Sequence, residues 1–144
     1  MTAAAPLARG LEGIVSHVTN LSDVDGTAGR LIIGGYDVHQ LAGKVSFEEA
    51  AHLLWYGELP NRQQLDELCR HMAVARHLPS PILDVLGGPV RHASGMHALR
   101  MAAATLSVDE PDADNLSPDS NRRRAVRITA RMPALVAHQQ RLRL

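Results

Sequence analysis

Apolar residues form short clusters in the first quarter of the chain and recur at helical spacing in the rest. Small clusters bounded by polar residues are typical of short strands. The segment 22–29 separates two such clusters and contains Asp25-Gly26, a strong turn dipeptide. We therefore predict a β-hairpin whose second strand ends at Gly34-Gly35. The strand residues would come from Ile14, Val15, Val18 and Leu21 on one side and Leu31, Ile32 and Ile33 on the other.

After Tyr36 the apolar spacing becomes helical, and residues that favour helix starts precede the apolar stretches. Five helices are predicted between residues 37 and 107, and they begin at Asp37, Ser46, Asn61, Ser80-Pro81 and Ser94. Ser46 and Glu49 have the spacing of a capping box. Glycines that end a helix are predicted at Gly43, Gly57 and Gly87-Gly88.

The helical spacing also predicts which side chains face the core. The second helix is expected to bury Phe47, Ala50, Ala51 and Leu54, and the third to align Leu65, Leu68, Met72 and Ala75. The fifth carries an apolar stripe of Met96, Leu99, Ala103 and Leu106.

The last third of the chain combines an acidic segment with an arginine-rich one. Residues 108–118 are predicted to form an exposed loop, because acids and two prolines crowd residues 108–119. A sixth helical stretch from about Asp119 is expected to be interrupted or kinked at Pro133. It carries seven arginines and the apolar residues Ile128, Leu135, Val136 and Leu142.

These elements together predict a mainly α fold, with a small amino-terminal hairpin followed by about six helices. The chain ends at Leu144 without a residue that closes a helix, so we expect residues 1–144 to be a single incomplete domain. Its segments are strands and turns (1–36), helices (37–107), the acidic loop (108–118) and the arginine-rich helical end (119–144).

Composition narrows the class of protein. The chain has 144 residues, of which 45% are hydrophobic and 21% charged, as in soluble globular proteins. No apolar run reaches the roughly 18–20 residues of a membrane span, and no secretory signal is evident, so a cytoplasmic location is expected. A single cysteine excludes an internal disulfide framework.

The residues suggest no catalytic, cofactor or metal site. The sequence has eight histidines, but none lie at the i, i+4 spacing of a helical zinc pair. His71 and His77 are six apart and His92 and His97 five apart, so scattered imidazoles are expected. The glycines match neither a Walker loop nor a dinucleotide fingerprint. Cys69 is expected to be a buried or half-buried structural thiol.

The arginine-rich end could be an electrostatic footprint for nucleic acid. The net charge of zero, aromatic content of 3% and distribution of arginines over several helix faces favour a solvated or partner-facing helix instead. The acidic segment before them could neutralise the arginines. We expect no nucleic-acid partner, although an arginine-rich nucleic-acid-binding helix remains the weaker alternative.

One ordered series of residues is more specific than any of these motifs. It includes the stretches 10–15, 22–26, 35–38 and 46–51, the last reading Ser-Phe-Glu-Glu-Ala-Ala, and then 53–60, which reads Leu-Leu-Trp-Tyr-Gly-Glu-Leu-Pro. The series resembles the amino-terminal region of citrate synthases, including 2-methylcitrate synthases. Residues 96–100 and 130–137 with Arg141 resemble the next two helices of that family. Two positions depart from its usual pattern: Gly34 stands where an arginine is usual, which is expected to loosen the packing of the strand, and Ser94-Gly95 replace a histidine-proline pair.

The resemblance implies a mostly helical, dimeric acyltransferase that converts acetyl-CoA, oxaloacetate and water to citrate and CoA. In the family, the catalytic histidines and aspartate and the oxaloacetate-binding arginines lie further downstream, so none can be assigned to this chain. His92 and His97 lie upstream of those histidines and are not assigned their roles.

The leading hypothesis is therefore an incomplete or split citrate synthase, inactive alone, with a homo-oligomer or a complementing carboxy-terminal chain as its partner. A non-catalytic assembly module is the alternative. Helices resembling 95–107 and 122–143 pack between subunits in the family, so they are expected to pack likewise here.

Overall fold

A computed structural model describes residues 15, 17–111 and 113–144 of the chain. It has three short strands, six α-helices and a 3-10 helix (Leu106–Asp109) in this part of the chain, which confirms the predicted mainly α class. The strands are β1 (Ser22–Asp25), β2 (Arg30–Ile33) and β3 (Tyr36–Asp37). The helices are α1 (Val38–Leu41), α2 (Phe47–Tyr56), α3 (Arg62–Ala75), α4 (Ser80–Gly87), α5 (Gly95–Thr105) and α6 (Pro118–Arg143).

The predicted hairpin is present, but its first strand lies further along the chain than predicted. The strands form an antiparallel sheet in the order β1-β2-β3, with Ser22 opposite Ile33 and Asp25 opposite Arg30. The carboxylate of Asp25 accepts hydrogen bonds from the backbone of Thr27 and Ala28, at 3.0 and 2.9 Å. Because this turn begins at Asp25, the register places β1 on residues 22–25, which were predicted as turn.

The described residues of the apolar cluster predicted as the first strand therefore lie outside the sheet. Val15 and Val18 are exposed, and Ile14 lies outside the described residues. The two-residue strand β3, which pairs with β2, was not predicted.

Side-chain caps start most of the helices, as the sequence predicts. Three reciprocal capping boxes pair Asp37 with Gln40, Ser46 with Glu49 and Asn61 with Gln64. In the second box, the backbone N–H of Ser46 donates to the Glu49 carboxylate at 2.6 Å. This bond, followed by the bond from the Ser46 hydroxyl, lowers the pKa of Glu49 below its ordinary value. Local hydrogen bonds therefore fix where these helices begin.

The core consists of two clusters that share α6. The larger cluster joins α4, α5, the 3-10 helix and Leu135 of α6. The smaller cluster joins Leu68 and Met72 of α3 to Ala130 of α6. Trp55 from α2 packs against the smaller cluster. Helix α6 is thus the common wall against which the other helices pack.

Two predicted core faces are wrong in part. On α2, Ala51 is buried as predicted, but Phe47 and Leu54 are exposed, and His52 and Leu53 are buried instead. On the predicted stripe of α5, Leu106 is buried and Leu99 packs against the larger cluster, but Met96 is exposed, and the buried residues within the helix are Ala98 and Ala102. In both helices the buried face is rotated from the one occupied by the largest side chains. On α5, small side chains at the buried positions allow the neighbouring helices to approach closely.

Helix α6 continues through Pro133, so the predicted interruption is not present. Near its carboxyl end, the buried amide of Gln139 donates to the carbonyls of Val90 and Arg91, at 3.3 and 3.1 Å. These bonds connect α6 to the turn between α4 and α5.

Gly34 is tightly packed, contrary to the expectation that glycine there loosens the strand. Its φ of +54° lies in the left-handed region. A Cβ at this position would lie 2.8 Å from Cγ of Leu53, whose side chain is only 1% exposed. The absence of a side chain therefore lets the end of β2 pack directly on α2.

We predict that Gly34→Ala lowers the free energy of unfolding by about 2–4 kcal/mol, through the left-handed backbone and the overlap with Leu53. The control is Gly35→Ala, where φ is +87° but no atom lies within 4 Å of the added Cβ. The control should lose only about 1–2 kcal/mol. Urea unfolding followed by circular dichroism would measure both, and equal losses would contradict the packing argument.

Candidate functional site

A cleft of about 680 Å³ lies between α3 and α6. We call it the α3–α6 cleft. Its apolar lining comes from Val74, Ala75 and Val126, together with the ring of Tyr56. Its charged and imidazole lining consists of Arg70, His71 and His77 on the α3 side and Asp119, Arg122, Arg123, Arg127 and Arg131 on the α6 side. The cleft therefore combines an apolar floor with a strongly cationic rim.

Helical periodicity brings the arginines of α6 to one wall. Arg123, Arg127 and Arg131 recur at every fourth residue, so they lie along the same side of the helix about 6 Å apart. The prediction that the arginines occupy several faces holds only in part. Of the seven arginines on α6, Arg124, Arg141 and Arg143 do not line the cleft, whereas the other four do.

Arg122 is held in place by two contacts. Its guanidinium lies over the ring of Tyr56, 5.4 Å from the centroid, and donates to the Asp119 carboxylate at 3.1 Å. Tyr56 also contacts the ring of His52, with the centroids 4.4 Å apart. His52 is buried and donates through Nδ1 to the carbonyl of Glu58 at 2.8 Å. A chain of contacts from the end of α2 thus orients a cation at the mouth of the cleft.

The α3 wall carries a second cationic group. Arg70 Nη2 lies 3.1 Å from His71 Nε2, and the Glu67 carboxylate lies 4.0 Å from both side chains. All three side chains are exposed to solvent. The cleft is therefore cationic on both of its walls.

A largely buried ion pair lies behind the cleft. Glu110 accepts two hydrogen bonds from Arg127, one of them from Nε at 3.0 Å. The Glu110 side chain is 7% exposed and that of Arg127 is 24% exposed. The prediction of an exposed acidic loop is therefore wrong at Glu110. The suggestion that acids of this segment neutralise arginines is confirmed for this pair.

The structure places the histidines singled out in the sequence in different surroundings. His71 and His77 line the same cleft, but His71 is exposed and lies beside the Arg70 guanidinium. His92 and His97 are exposed and lie outside it. Among the residues that the structure describes, no cluster of three or more possible metal ligands is present. Cys69 is exposed, so the prediction of a buried or half-buried thiol is wrong.

Sequence reasoning missed this cleft because it depends on the packing of two helices. The fourfold spacing of Arg123, Arg127 and Arg131 was visible in the sequence. The neighbour that turns this stripe into a cleft, α3, precedes α6 by more than 40 residues. Spacing within α6 alone cannot identify it.

Sequence comparisons relate almost the whole chain to known enzymes. The family model described as "Citrate synthase, C-terminal domain" matches residues 10–144. The citrate synthase of Haloferax volcanii is 38% identical over 141 residues, covering 95% of this chain and 37% of that protein. A 2-methylcitrate synthase of Mycobacterium tuberculosis is 33% identical over 135 residues, covering 94% of this chain and 34% of that protein.

Structural comparison gives the same result. The citrate synthase of Pyrobaculum aerophilum superimposes with a TM-score of 0.85 at 29% sequence identity, covering 93% of this chain and 36% of that structure. The chain therefore spans about a third of the length of the curated relatives and solved structures that it matches.

We predict that Glu110→Ala lowers the free energy of unfolding by about 2–4 kcal/mol, because it leaves the largely buried Arg127 without this carboxylate. The control is Asp66→Ala, which breaks the exposed Arg62–Asp66 pair at 3.1 Å on α3. That loss should stay below about 1 kcal/mol. Urea unfolding of both variants tests this, and a Glu110→Ala loss no larger than the control's would show that the buried pair does not stabilise the fold.

Proposed function

The chain belongs to the citrate synthase family, and from this membership we propose that it forms the amino-terminal part of a citrate synthase-type acyltransferase. In a complete subunit the reaction would join acetyl-CoA and oxaloacetate and hydrolyse the product to citrate and CoA. The match along residues 10–144 to a family whose members are about three times as long is the observation that carries membership in such an enzyme. The resemblance of the stretches from 10–15 to 130–137 to the amino-terminal region of these enzymes supports the proposed position. A 2-methylcitrate synthase among the relatives leaves the choice of acyl substrate open.

The proposed reaction requires groups that act together. A base must remove a proton from the acetyl group, and a donor must polarise the oxaloacetate carbonyl, at positions shielded from water. In the described residues, the buried imidazole is His52, and its Nδ1 hydrogen is engaged by the Glu58 carbonyl. Asp119 and His71, which line the cationic cleft, are exposed. We infer that the reacting groups belong to a part of the enzyme outside this chain.

Association with another chain is the second part of the proposal. Several apolar side chains of α5 and α6 are exposed, among them Met96 at 68%, Met101, Ile128 and Val136. Each large side chain that becomes buried contributes about 1.5–3 kcal/mol. A second subunit or a complementing carboxy-terminal chain packed on these helices would therefore gain stability comparable to that of a small domain.

A non-catalytic assembly module is the alternative function. The same exposed residues on α5 and α6 support it, because they would also allow the chain to pair with a complete synthase. The two candidates differ in whether a complementing chain restores turnover. A cytoplasmic location remains a prediction; in the described part of the chain, no helix combines the length and apolar character needed to cross a membrane.

We predict that the purified chain of residues 1–144 does not release CoA from acetyl-CoA in the presence of oxaloacetate. The reason is the absence of a shielded base beside an electrophile-binding group in the described residues. A thiol-detection assay, with an intact citrate synthase as the positive control, measures this directly. Protein-dependent release of CoA would refute the proposal that the reacting groups lie elsewhere. If a carboxy-terminal chain is added, restored turnover supports the split enzyme, and binding without turnover supports the assembly module.

We also predict that the purified chain self-associates at tens of micromolar, because exposed apolar side chains on α5 and α6 favour association. Sedimentation velocity measures the state, and the double variant Met96→Gln/Val136→Gln should shift it toward monomer. Val24→Gln, which alters an exposed apolar residue of the sheet, is the control. A stable monomer that melts sharply would contradict the proposed association surface.

A further inference from the structure

The methionines of this chain differ in how far solvent reaches them. Met72 belongs to the smaller core cluster and is 3% exposed, and Met132 is half-buried against the larger cluster. Met96 and Met101 are 68% and 50% exposed. Among the methionines that the structure describes, the two exposed ones therefore lie on a single helix, α5.

These two side chains lie at the two borders of the exposed face of α5. An α-helix turns by about 100° per residue, so positions 96 and 101 are about 140° apart around the axis and about 7.5 Å apart along it. Arg100 is exposed between them, and the buried Ala98 and Ala102 lie on the opposite side of the helix. A chain that packs on the exposed face of α5 would therefore contact at least one of the two thioethers.

We propose that Met96 and Met101 are sites of oxidation by hydrogen peroxide, and that their oxidation weakens the association of this chain. The thioether sulfur attacks one peroxide oxygen, and the O–O bond breaks. That oxygen forms the S–O bond of a sulfoxide, and the other oxygen leaves as water after it takes up the proton. The sulfur loses two electrons, and the peroxide gains them.

This inference rests on the self-association that we propose for α5 and α6, and it adds a chemical control of that contact. A thioether is apolar and gains stability when another apolar surface covers it. A sulfoxide is polar and needs a hydrogen bond once it is removed from water. Ile128 and Val136 contribute to the same surface and do not react with peroxide, so oxidation should weaken the contact without abolishing it.

Peptide mapping of the full 144-residue chain after treatment with hydrogen peroxide tests the assignment of the sites. Each of the five methionines falls on a different tryptic peptide, so mass spectrometry measures the added oxygen at each one separately. We expect Met96 and Met101 to react at least about tenfold faster than Met72, because a buried thioether reacts only when the fold opens locally. Equal rates at the three positions would overturn the proposal. All samples carry Cys69→Ser, because the exposed thiol of Cys69 also reacts with peroxide.

Sedimentation velocity before and after treatment tests the effect on association. Oxidation should raise the dissociation constant for self-association at least about tenfold, and methionine sulfoxide reductases supplied with a dithiol should restore the original value. The far-UV circular dichroism should stay unchanged, because Met72 in the core is not oxidised. A treated chain that loses its helical signal, or that associates as tightly as before, would contradict the proposal.

Matched variants locate the effect on α5. Met96→Leu/Met101→Leu keeps apolar side chains of similar volume and removes both sulfur atoms, so peroxide should change its dissociation constant less than about twofold. Met132→Leu removes a sulfur atom from α6 and leaves those of α5, so it should respond to peroxide as the parent chain does. Each variant is compared with itself before and after treatment. An equal response in the two variants would show that oxidation acts elsewhere in the chain.

Failure of this proposal is distinguishable from failure of the proposed function. A chain that is monomeric before treatment contradicts the association surface itself, and with it the effect of oxidation. A chain that associates but does not respond to peroxide contradicts only the oxidation proposal. None of these readouts depends on the release of CoA.

Discussion

Packing against one long helix is the constraint on which the rest of this structure depends. Helix α6 supplies Leu135 to the cluster formed with α4 and α5, and Ala130 to the cluster formed with α3. Its other side chains tie down the connections: Gln139 holds the turn after α4, and Arg127 holds Glu110. The neighbouring helices cover different faces of α6. This coverage determines the fold, the position of the cationic cleft and which apolar side chains stay exposed.

The sequence predicts well what local chemistry determines. Helix starts at Asp37, Ser46 and Asn61 follow from side chains that bond to backbone within three residues, and the structure confirms all three. The family could be predicted from the sequence equally well, because the resemblance depends on the order of residue types along the chain and not on their contacts. Boundaries set by pairing over a longer range were less accessible: β1 was misplaced because its register depends on where the Asp25 turn begins.

Properties that depend on a neighbouring element could not be predicted from spacing. The buried faces of α2 and α5 were misassigned in part because helical spacing alone does not determine which face a neighbour covers, and α5 packs through Ala98 and Ala102. The burial of Glu110 and the exposure of Cys69 likewise depend on the helices beside them. The α3–α6 cleft exists only where α3 and α6 meet, and each helix alone suggests an ordinary solvated surface.

The contact between Gly34 and Leu53 also bears on how this sequence could change over time. An arginine, the residue that the resemblance implies at position 34, cannot be accommodated there while Leu53 fills the space beside it and the backbone stays at a positive φ. A smaller residue at position 53 and a relaxed turn would have to appear first. The effect of a substitution at one of these two positions therefore depends on the residue at the other, and the order in which they can be replaced is constrained.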